Sequence, residues 1–593
     1  MPKSYFFSNK EISQLLKDAA AAYEVKKENR FKITAYEQAS TAVEHLTFEI
    51  RDLWKEGKLD QVPGIGPSIA SHLEELFIRG SSAHFNKIFR GLPESMFVFL
   101  SIPGIGPKKA YMLARELKID KKNNALAKLK KAGKNKKIRQ IEGFGENSEK
   151  EIFERIGEFK RKEKKMSLFE AYNQAEKLLI YLKNCEKVIK VEILGSLRRK
   201  CATIGDIDIV IASNDKELVI RHFTSYPNKR KIINAGPSKA SILLTSNYQS
   251  DLRVIDPKRW GSMLQYFTGS KQHNISLRQY GLKKGMSLSE YGIKKKTRNP
   301  KSEIRKFREE KEFYKAAGME WIPPELREDK GEIEAAIKGK LPNLVKSKEI
   351  KGDLHMHSDF DVETSHDLGA NSVKEMCEKA LELGYQYIAF TEHNPSMSKH
   401  SEQQITDTIM KKKKYIEHIK SSCGRVNNLS IFNSLEVDIL PDGRLAVPEK
   451  ALNVLDFAIA SIHSSFLMSK EEMTARILKG LNHPKVKIFG HPTNRMIGKR
   501  KEIAADWEKI FDFCALNKKI LEVNANPKRL DLPENLIRKA LSKGIKLAIN
   551  SDAHSVDRMN FMKFGVWNAR RGWAEAKDII NTMSCDKIKK ELL

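Results

Sequence analysis

Residues 195–213 read GSLRRKCATIGDIDIVIAS. Asp206 and Asp208 alternate there with isoleucines, which is the period of a β-strand that presents both carboxylates on one face. Two carboxylates on a rigid strand suit Mg²⁺, an ion that keeps open positions for substrate phosphates. A later strand-like segment, SDLRVID at 250–256, supplies Asp251 as a third acid. A lone acidic pair is more often an ordinary surface feature, but the three acids together predict a two-metal site for phosphoryl transfer.

Three residues beside this strand have the chemistry of a phosphate-binding turn. Gly195 would let the backbone approach a phosphate closely, because it has no side chain. Ser196 follows it, and Arg199 would supply the positive charge that a triphosphate requires. Gly195, Ser196 and Arg199 are therefore predicted to hold the triphosphate of a nucleotide, with Asp206, Asp208 and Asp251 as ligands of two Mg²⁺ (or Mn²⁺) ions.

The composition bounds the class of protein. The chain has 593 residues and a formal net charge of +31, an excess that predicts a polyanionic partner, most commonly nucleic acid. Its length predicts several domains. No apolar run approaches the roughly 20 residues that span a bilayer, and the first residues have no apolar signal core. Six cysteines without a CxxC pair fit a reducing compartment. We expect a cytoplasmic, nucleoid-associated protein with no membrane partner.

The first part of the sequence has a helical period and contains two near-copies of one turn, VPGIGPSIASHLEELF at 62–77 and IPGIGPKKAYMLARELK at 102–118. A degenerate third copy, IEGFGENSEKEIFERI, lies at 141–156. One PGIG turn could simply join two helices, but two copies in a basic chain favour helix-hairpin-helix DNA binding, with exposed backbone N–H groups that accept phosphate oxygens. The predicted contacts are Gly64, Gly66, Gly104 and Gly106.

Ten of the fifteen histidines follow residue 350. They recur with acids at the ends of strand-like segments: DLHMHS, TEHN, SLEVD, ASIHSS, GHPT and NSDAHS. A single histidine at a strand end is usually structural. Six successive strand–loop junctions predict one site, because in an α/β barrel such junctions face the same mouth. Mixed nitrogen and oxygen ligands suit Zn²⁺ or Mn²⁺ better than Mg²⁺.

The segments YFTGSKQHN at 266–274 and WIPPELRED at 321–329 add a resemblance to these patterns. Together with GS…RR…GDIDI they make the chain similar to the bacterial and archaeal family X DNA polymerases, which carry a C-terminal polymerase and histidinol phosphatase (PHP) domain. The resemblance implies a multidomain α+β and α/β protein that fills short gaps in DNA from dNTP substrates. It implies a gap-binding domain with a helix-hairpin-helix (1–85), fingers (86–160), a nucleotidyltransferase palm with a mixed sheet (161–256), a small α/β thumb (257–328), a linker (329–351) and a distorted (β/α)7 PHP barrel (352–593).

The same resemblance implies roles for single residues of the polymerase part. Asp206, Asp208 and Asp251 are the catalytic metal ligands. The implied nucleotide pocket is formed by Tyr266, Phe267, Gly269 and Asn274, and the implied DNA contacts are Lys32, Tyr36, Arg253 and Arg278. Family members with deoxyribose-phosphate lyase activity have a lysine where this chain has His72. Because histidine cannot form the Schiff base, we expect weak or absent lyase activity at this position.

For the PHP domain the resemblance implies up to three Mn²⁺ or Zn²⁺ ions and 3′–5′ exonuclease activity, with 3′-phosphate or AP-site processing as an extension. The implied ligands are His355, His357, His393, Glu436, His463, His491, Asp552 and His554. A ninth ligand is usually an Asp or His five or six residues after the second histidine, where this chain has Val362 and Glu363. Asp367, in SHDLG, is the favoured candidate, Asp361 the second and Glu363 the third.

Three functions remain open at this point. Both sites work, and the protein is a repair-type polymerase with end trimming, acting as a monomer on gapped or primer–template DNA. Alternatively, the protein is chiefly a metal-dependent 3′-end nuclease or phosphoesterase that uses the polymerase fold as a DNA-binding platform. The third function, a scaffold without catalysis, is disfavoured because each half carries a nearly complete ligand set.

Overall fold

The structure is a computed structural model. It describes residues 7, 9–45, 50–55, 57, 59–62, 64–102, 104–162, 165–295, 303–364, 366–422 and 428–593. The chain divides into two compact units, Met1–Lys164 and Lys165–Leu593. Within the described ranges, no helix has both the length and the apolar character needed to cross a membrane.

The first unit is helical. Its helices are α1 (Asn9–Val25), α2 (Arg30–His45), α3 (Ile50–Lys55), α4 (Pro67–Arg79), α5 (Ala83–Phe89), α6 (Glu94–Phe99), α7 (Pro107–Glu116), α8 (Ala125–Lys134) and α9 (Glu146–Lys162). Each PGIGP repeat places a proline in the first turn of the second helix of its hairpin, α4 or α7, which is the position where a missing N–H costs least. Gly64 and Gly104 adopt positive φ angles of 92° and 80°, a conformation that favours glycine.

The second unit begins with a five-stranded palm sheet. Its early elements are β1 (Met166–Ser167), α10 (Leu168–Lys183), β2 (Lys190–Ile193), α11 (Gly195–Arg198), β3 (Thr203–Ile204), β4 (Ile207–Ala212), α12 (Lys216–Thr224), β5 (Lys229–Ala235), β6 (Lys239–Leu244) and β7 (Gln249–Ile255). The strand order is β2-β4-β7-β6-β5. The pair β4–β7 is parallel and its neighbours are antiparallel, so the sheet is mixed as predicted.

A small α/β segment follows the palm sheet. It contains α13 (Trp260–Thr268), α14 (Lys271–Lys283), the hairpin β8 (Met286–Ser289) and β9 (Gly292–Lys295), α15 (Glu310–Ala316) and α16 (Glu332–Ile337). Gly261 allows α13 to approach the start of α15, because a Cβ at this position would lie 2.3 Å from the carbonyl carbon of Glu309. The segment therefore packs closely on itself beside the palm.

The C-terminal part is a barrel of seven parallel strands in sequential order. The strands are β10 (Gly352–Met356), β11 (Tyr387–Phe390), β12 (Ser430–Asp438), β13 (Phe457–Ser461), β14 (Val486–Phe489), β15 (Ile520–Asn524) and β16 (Leu547–Asn550). Their helices are α17 (Val373–Glu382), α18 (Glu402–Ser422), α19 (Glu449–Val454), α20 (Lys470–Leu481), α21 (Trp507–Leu516), α22 (Glu534–Ser542), α23 (Met562–Arg571) and α24 (Cys585–Leu592). A bridge from Met356 to Ala553 nearly closes the barrel, as the distorted (β/α)7 prediction requires.

Helix α23 joins the barrel to the palm. Phe564 on this helix and Leu530, each 1% exposed, belong to the same hydrophobic cluster as the palm strands β4, β6 and β7. The Trp567 ring lies 5.1 Å from the ring of Tyr172 on α10, and the Lys200 ammonium lies 4.1 Å from the Trp567 ring centroid. Palm and barrel therefore pack against each other through one apolar cluster.

Candidate active sites

The three acids of the palm come together because of the strand register. Asp208 on β4 is paired directly with Asp251 on β7, and Asp206 stands just before β4. One carboxylate oxygen from each of the three lies within 4.8 Å of the others. Burial, reinforced by the charges of Asp206 and Asp251, raises the pKa of Asp208 to about 7. Carboxylates this close repel one another unless a cation separates them, so the donor set fits divalent metal.

The predicted phosphate turn lies directly over these acids. Gly195 begins α11 with φ 58°, and a Cβ at this position would lie 2.4 Å from Asp208 Oδ2. Ser196 is half-buried in the same short helix. Arg199 follows it, but its guanidinium already has protein partners: Nε donates to Glu328 Oε1 at 3.0 Å, and Nη1 donates to the carbonyl of Thr268. Glu328 was not among the residues predicted for this site.

The predicted nucleotide pocket is assembled around the end of α13. The rings of Tyr266 and Phe267 are half-buried and meet edge to face, with centroids 5.1 Å apart. Asn274 on α14 donates to the carbonyl of Tyr266 at 2.7 Å, which ties the two predicted residues together. Gly269 has φ 67° and leaves room for Arg199, since a Cβ there would be 3.1 Å from Nη1.

The predicted DNA contacts in the second unit lie beside the same pocket. The Arg253 guanidinium stacks at 4.1 Å on the ring of Phe267. It stands two residues after Asp251 on β7 and therefore on the same face of the sheet. Arg278 is half-buried on α14.

In the first unit, the predicted contacts differ in exposure. Lys32 is exposed, with Nζ 3.2 Å from Glu28 Oε2. Tyr36 is only 5% exposed, and its hydroxyl lies 2.9 Å from His84 Nε2. His72 stacks on His84 with ring centroids 3.6 Å apart. Gly64, Gly66, Gly104 and Gly106 are exposed at the turns that precede α4 and α7.

At the mouth of the barrel, Glu436 occupies the centre of the histidine cluster. Its carboxylate lies 2.7 Å from His491 Nε2, 3.1 Å from His393 Nδ1 and 3.3 Å from His355 Nε2. His357 Nε2 lies 3.5 Å from Asp552 Oδ1, and its ring stacks on His554 at 4.1 Å. Burial opposes ionisation of Glu436, but His355 and His463 hold its pKa well below the ordinary value. The structure thus brings all eight predicted ligands together.

Two acids that were not predicted orient these histidines. Glu522 on β15 lies 2.7 Å from His355 Nδ1 and accepts a hydrogen bond from the backbone N–H of His491 at 2.7 Å. Asp438 lies 2.5 Å from His463 Nδ1. A carboxylate behind a metal-binding imidazole fixes its tautomer and orientation. Asp438 stands in SLEVD, a segment that the histidine pattern had already marked, whereas Glu522 lies inside β15, whose sequence carries no histidine.

The histidine cluster contains buried ring nitrogens that fit a metal site. His355 Nε2, both ring nitrogens of His357 and His393 Nδ1 are buried and have no hydrogen-bond partner among the described residues. An unpaired buried polar atom is costly. Four such nitrogens in one cluster, three of which face a carboxylate without forming a hydrogen bond to it, are the donor set of a polynuclear metal centre.

At the ninth position the structure brings a residue other than the predicted one into the cluster. His366, not Asp367, enters the cluster: its ring centroid lies 4.7 Å from that of His393 and 4.9 Å from that of His463, and Nε2 lies 3.0 Å from Asp438 Oδ2. Asp367 is exposed and belongs to none of the metal-capable groups found in the described chain. Asp361 is exposed and accepts from the N–H of Glu363, and Glu363 pairs with His400.

The comparisons with known proteins agree with this geometry. Four family models match: a helix-hairpin-helix domain at residues 7–82, a SAM-like helix-hairpin-helix tandem at 98–158, the DNA polymerase beta thumb at 263–328 and the PHP domain at 353–526. The predicted hairpins, thumb and PHP domain are thereby confirmed as domain types.

Two kinds of relative are found. The DNA polymerase/3′-5′ exonuclease PolX of Bacillus subtilis (strain 168) is 33% identical over 577 residues, which is 97% of either chain. A probable phosphatase of Thermoanaerobacter sp. (strain X514) is 27% identical over 212 residues, 34% of this chain and 78% of the relative. A probable phosphatase of Caldicellulosiruptor bescii is 29% identical over 192 residues. The full-length match and the two metal-binding constellations together show that this chain belongs to the family X DNA polymerases that carry a C-terminal PHP domain.

Proposed function

We propose that this chain is a DNA polymerase of repair type, which fills short gaps at the palm and digests 3′ ends at the barrel. One observation carries the proposal. A cluster of three acids at the palm and a cluster of histidines with Glu436 at the barrel both lie in one compact unit, and each has donors for divalent metal. The predicted domain boundaries, from the gap-binding domain at 1–85 to the PHP domain at 352–593, are proposed with it.

At the palm, Asp206, Asp208 and Asp251 would hold two Mg²⁺ (or Mn²⁺) ions. When bound, such ions activate the primer 3′-hydroxyl and neutralise the charge on the leaving pyrophosphate. The chain's own part is positional. Gly195, Ser196 and Arg199 would seat the triphosphate. Tyr266 would line the sugar side of the pocket, with Phe267 packed edge to face against it and Asn274 bracing the Tyr266 carbonyl. Arg253 and Arg278 would contact the primer–template.

At the barrel, the eight predicted ligands and His366 would hold up to three Mn²⁺ or Zn²⁺ ions. Such ions, when bound, act as Lewis acids on a phosphodiester. Arg529 adds a cation at this mouth, with Nε 3.7 Å from Asp552 Oδ2 and Nη1 donating to Asn494 Oδ1 at 3.2 Å. A guanidinium so placed would bind the non-bridging oxygens of the terminal phosphate. The same chemistry would extend to 3′-phosphates and AP sites.

In the first unit, we propose that Lys32 and the exposed turns at Gly64, Gly66, Gly104 and Gly106 contact the phosphates of gapped DNA. The buried Tyr36 would support this surface through His84. The protein is proposed to act as a monomer in the cytoplasm, associated with the nucleoid. Lyase chemistry at His72 is not part of the proposal, and borohydride reduction with an AP-site substrate should trap no covalent complex in the first unit.

Primer extension on a one-nucleotide gap, with Asp208→Ala and His357→Ala compared, tests the two-site proposal. Asp208→Ala should lower synthesis at least about 100-fold and leave 3′ digestion intact, because it removes a ligand of the palm only. His357→Ala should do the reverse. Unchanged synthesis by Asp208→Ala would sink the palm assignment and favour the alternative of a nuclease on a polymerase scaffold, which the intact set of three acids otherwise argues against.

A further inference from the structure

One carboxylate near the palm is shared by two arginines from different domains. Glu328 Oε1 accepts from Arg199 Nε at 3.0 Å and from Arg571 Nη1 at 3.0 Å. Arg199 belongs to the phosphate turn of the palm, whereas Arg571 is the last residue of α23 in the barrel. The same Arg571 Nη1 also donates to the backbone carbonyl of Arg199 at 2.8 Å. The barrel thus touches the phosphate turn directly.

The contact is enclosed and anchored. The side chains of Arg571, Arg199 and Glu328 are 5%, 13% and 20% exposed, so solvent screens their charges little. Arg571 Nη2 donates to Glu534 Oε1 on α22 at 3.1 Å, which fixes the guanidinium on the barrel side. Since Phe564, on the same helix as Arg571, packs into the hydrophobic cluster of the palm, packing sets the position of Arg571 relative to the phosphate turn.

Glu328 would weaken nucleotide binding by Arg199, and Arg571 can reduce this effect. A triphosphate that binds Arg199 must compete with the carboxylate already on Arg199 Nε, and it is repelled by that carboxylate's charge. Arg571 gives Glu328 a second cation, so Glu328 does not depend on Arg199. Without Arg571, the only guanidinium left on this carboxylate, among the contacts of the described chain, would be that of Arg199.

We propose that Arg571, a residue of the PHP barrel, is a positioning residue of the polymerase site: it holds the Arg199 carbonyl and keeps Glu328 paired, so that the Arg199 guanidinium can leave Glu328 for the nucleotide triphosphate. The proposal rests on the proposed role of Arg199 in triphosphate binding. It makes the barrel a structural partner in DNA synthesis, in addition to its own hydrolytic chemistry.

The test measures kcat and KM for the incoming dNTP on a one-nucleotide gap, with Arg571→Met as the main variant. KM should rise roughly tenfold, a typical coupling between sites, with kcat changed less than about threefold. The 3′–5′ exonuclease activity on single-stranded DNA should stay within about twofold, which also shows that the variant is folded. Arg571→Lys keeps the charge but cannot reach the Arg199 carbonyl, Glu328 and Glu534 together. Its KM should therefore lie between those of the parent and of the Arg571→Met variant.

Arg570→Met is the matched control, because Arg570 lies on the same helix and also reaches out of the barrel. It donates to Glu325 Oε1 at 2.8 Å and to the Val345 carbonyl at 3.0 Å, and neither partner belongs to the phosphate turn. Its KM for dNTP should match that of the parent protein. The double variant Arg571→Met with Glu328→Gln should restore KM to within about threefold of the parent, since a neutral glutamine no longer competes for Arg199.

The outcomes distinguish failure of the role of Arg571 from failure of the proposed role of Arg199 in triphosphate binding. If Arg199→Ala leaves the KM for dNTP unchanged, the assignment of the phosphate turn fails. If Arg199→Ala raises KM but Arg571→Met does not, the positioning role of Arg571 is wrong. If Arg571→Met raises KM and Glu328→Gln fails to rescue it, Arg571 supports the fold only, and the competition by Glu328 is refuted.

Discussion

Gly195 is held against the catalytic acids with almost no free space. Its φ of 58° is strained for any other residue, and a Cβ would overlap Asp208 Oδ2 at 2.4 Å. Gly195→Ala must therefore displace either the carboxylate or the phosphate turn. We expect gap-filling synthesis to fall at least about 100-fold, with 3′ digestion unchanged. Gly205→Ala, where a Cβ meets nothing within 4 Å, is the control. Equal synthesis by the Gly195→Ala variant and the parent would contradict the assignment.

His366 and Asp367 are neighbours with opposite surroundings, so they make a direct comparison. His366 lies between His393 and His463, and Asp367 is exposed. We expect His366→Ala to lose about one metal ion per chain and to weaken exonuclease activity about 10- to 100-fold. Asp367→Ala should keep full metal content, measured by elemental analysis of the dialysed protein. Loss of metal from the Asp367→Ala variant alone would restore the original prediction.

Whether a site residue could be predicted from the sequence depends on the kind of structure that positions it. Asp208 and Asp251 lie on strands, and the histidines lie at or near strand ends, where the sequence shows the strand period of two. His366 stands in a loop between β10 and α17, where no period governs which side chain turns inward. Arg571 and Glu328 are 243 residues apart, and their contact depends on how α23 packs, which no local pattern encodes.

The helical hairpins of the first unit were predictable as elements because glycine and proline mark their turns. Gly143 repeats the left-handed turn in the degenerate third copy, with φ 81°, and α9 begins three residues later. The contacts at the start of α15 could not be predicted from turn residues in this way. There, buried Glu310 accepts from Arg198 Nη2 at 2.9 Å and from Arg327 Nη1 at 2.7 Å, so one carboxylate joins the palm to the end of the thumb.

This buried carboxylate leads to a pH-dependent prediction. Burial opposes its ionisation, but Arg327 and Arg198 lower the pKa of Glu310 to about 2. An acid whose pKa is lower in the folded than in the unfolded protein stabilises the fold at pH values above its unfolded pKa. That stabilisation is lost as the pH falls through its pKa in the folded protein. Glu310→Gln should therefore lower the free energy of unfolding by about 3 kcal/mol at neutral pH. The difference from the parent should shrink between about pH 4.5 and pH 2.

Denaturant unfolding at several pH values measures this effect. Glu217→Gln is the control, because Glu217 forms an exposed pair with Arg221, at 86% and 71% side-chain exposure, and should change stability by less than about 0.5 kcal/mol. A difference between the parent and the Glu310→Gln variant that persists undiminished to pH 2 would show that packing, not charge, is responsible.

At the scale of the molecule, the charge of +31 predicts that DNA affinity falls steeply with salt. For about six to ten phosphate contacts, affinity for gapped DNA should drop about 10³- to 10⁵-fold between 50 and 200 mM salt. Lys108 and Lys109 are exposed at the start of α7, in the second hairpin. Replacing both by alanine should reduce the slope of log affinity against log salt by about 2. The exposed pair Lys338 and Lys340, replaced in the same way, should leave the slope unchanged.

The apolar cluster between palm and barrel has a consequence for the gene as well as for the protein. A chain that stopped in the linker at 329–351 would lack Phe564 and Leu530, which are buried against the hydrophobic cluster of the palm. Such a fragment would expose an apolar face to solvent and become a substrate for aggregation and proteolysis. Synthesis and hydrolysis are thus expected to be inherited as a pair, because a truncation that discards the hydrolase also uncovers an apolar face of the polymerase.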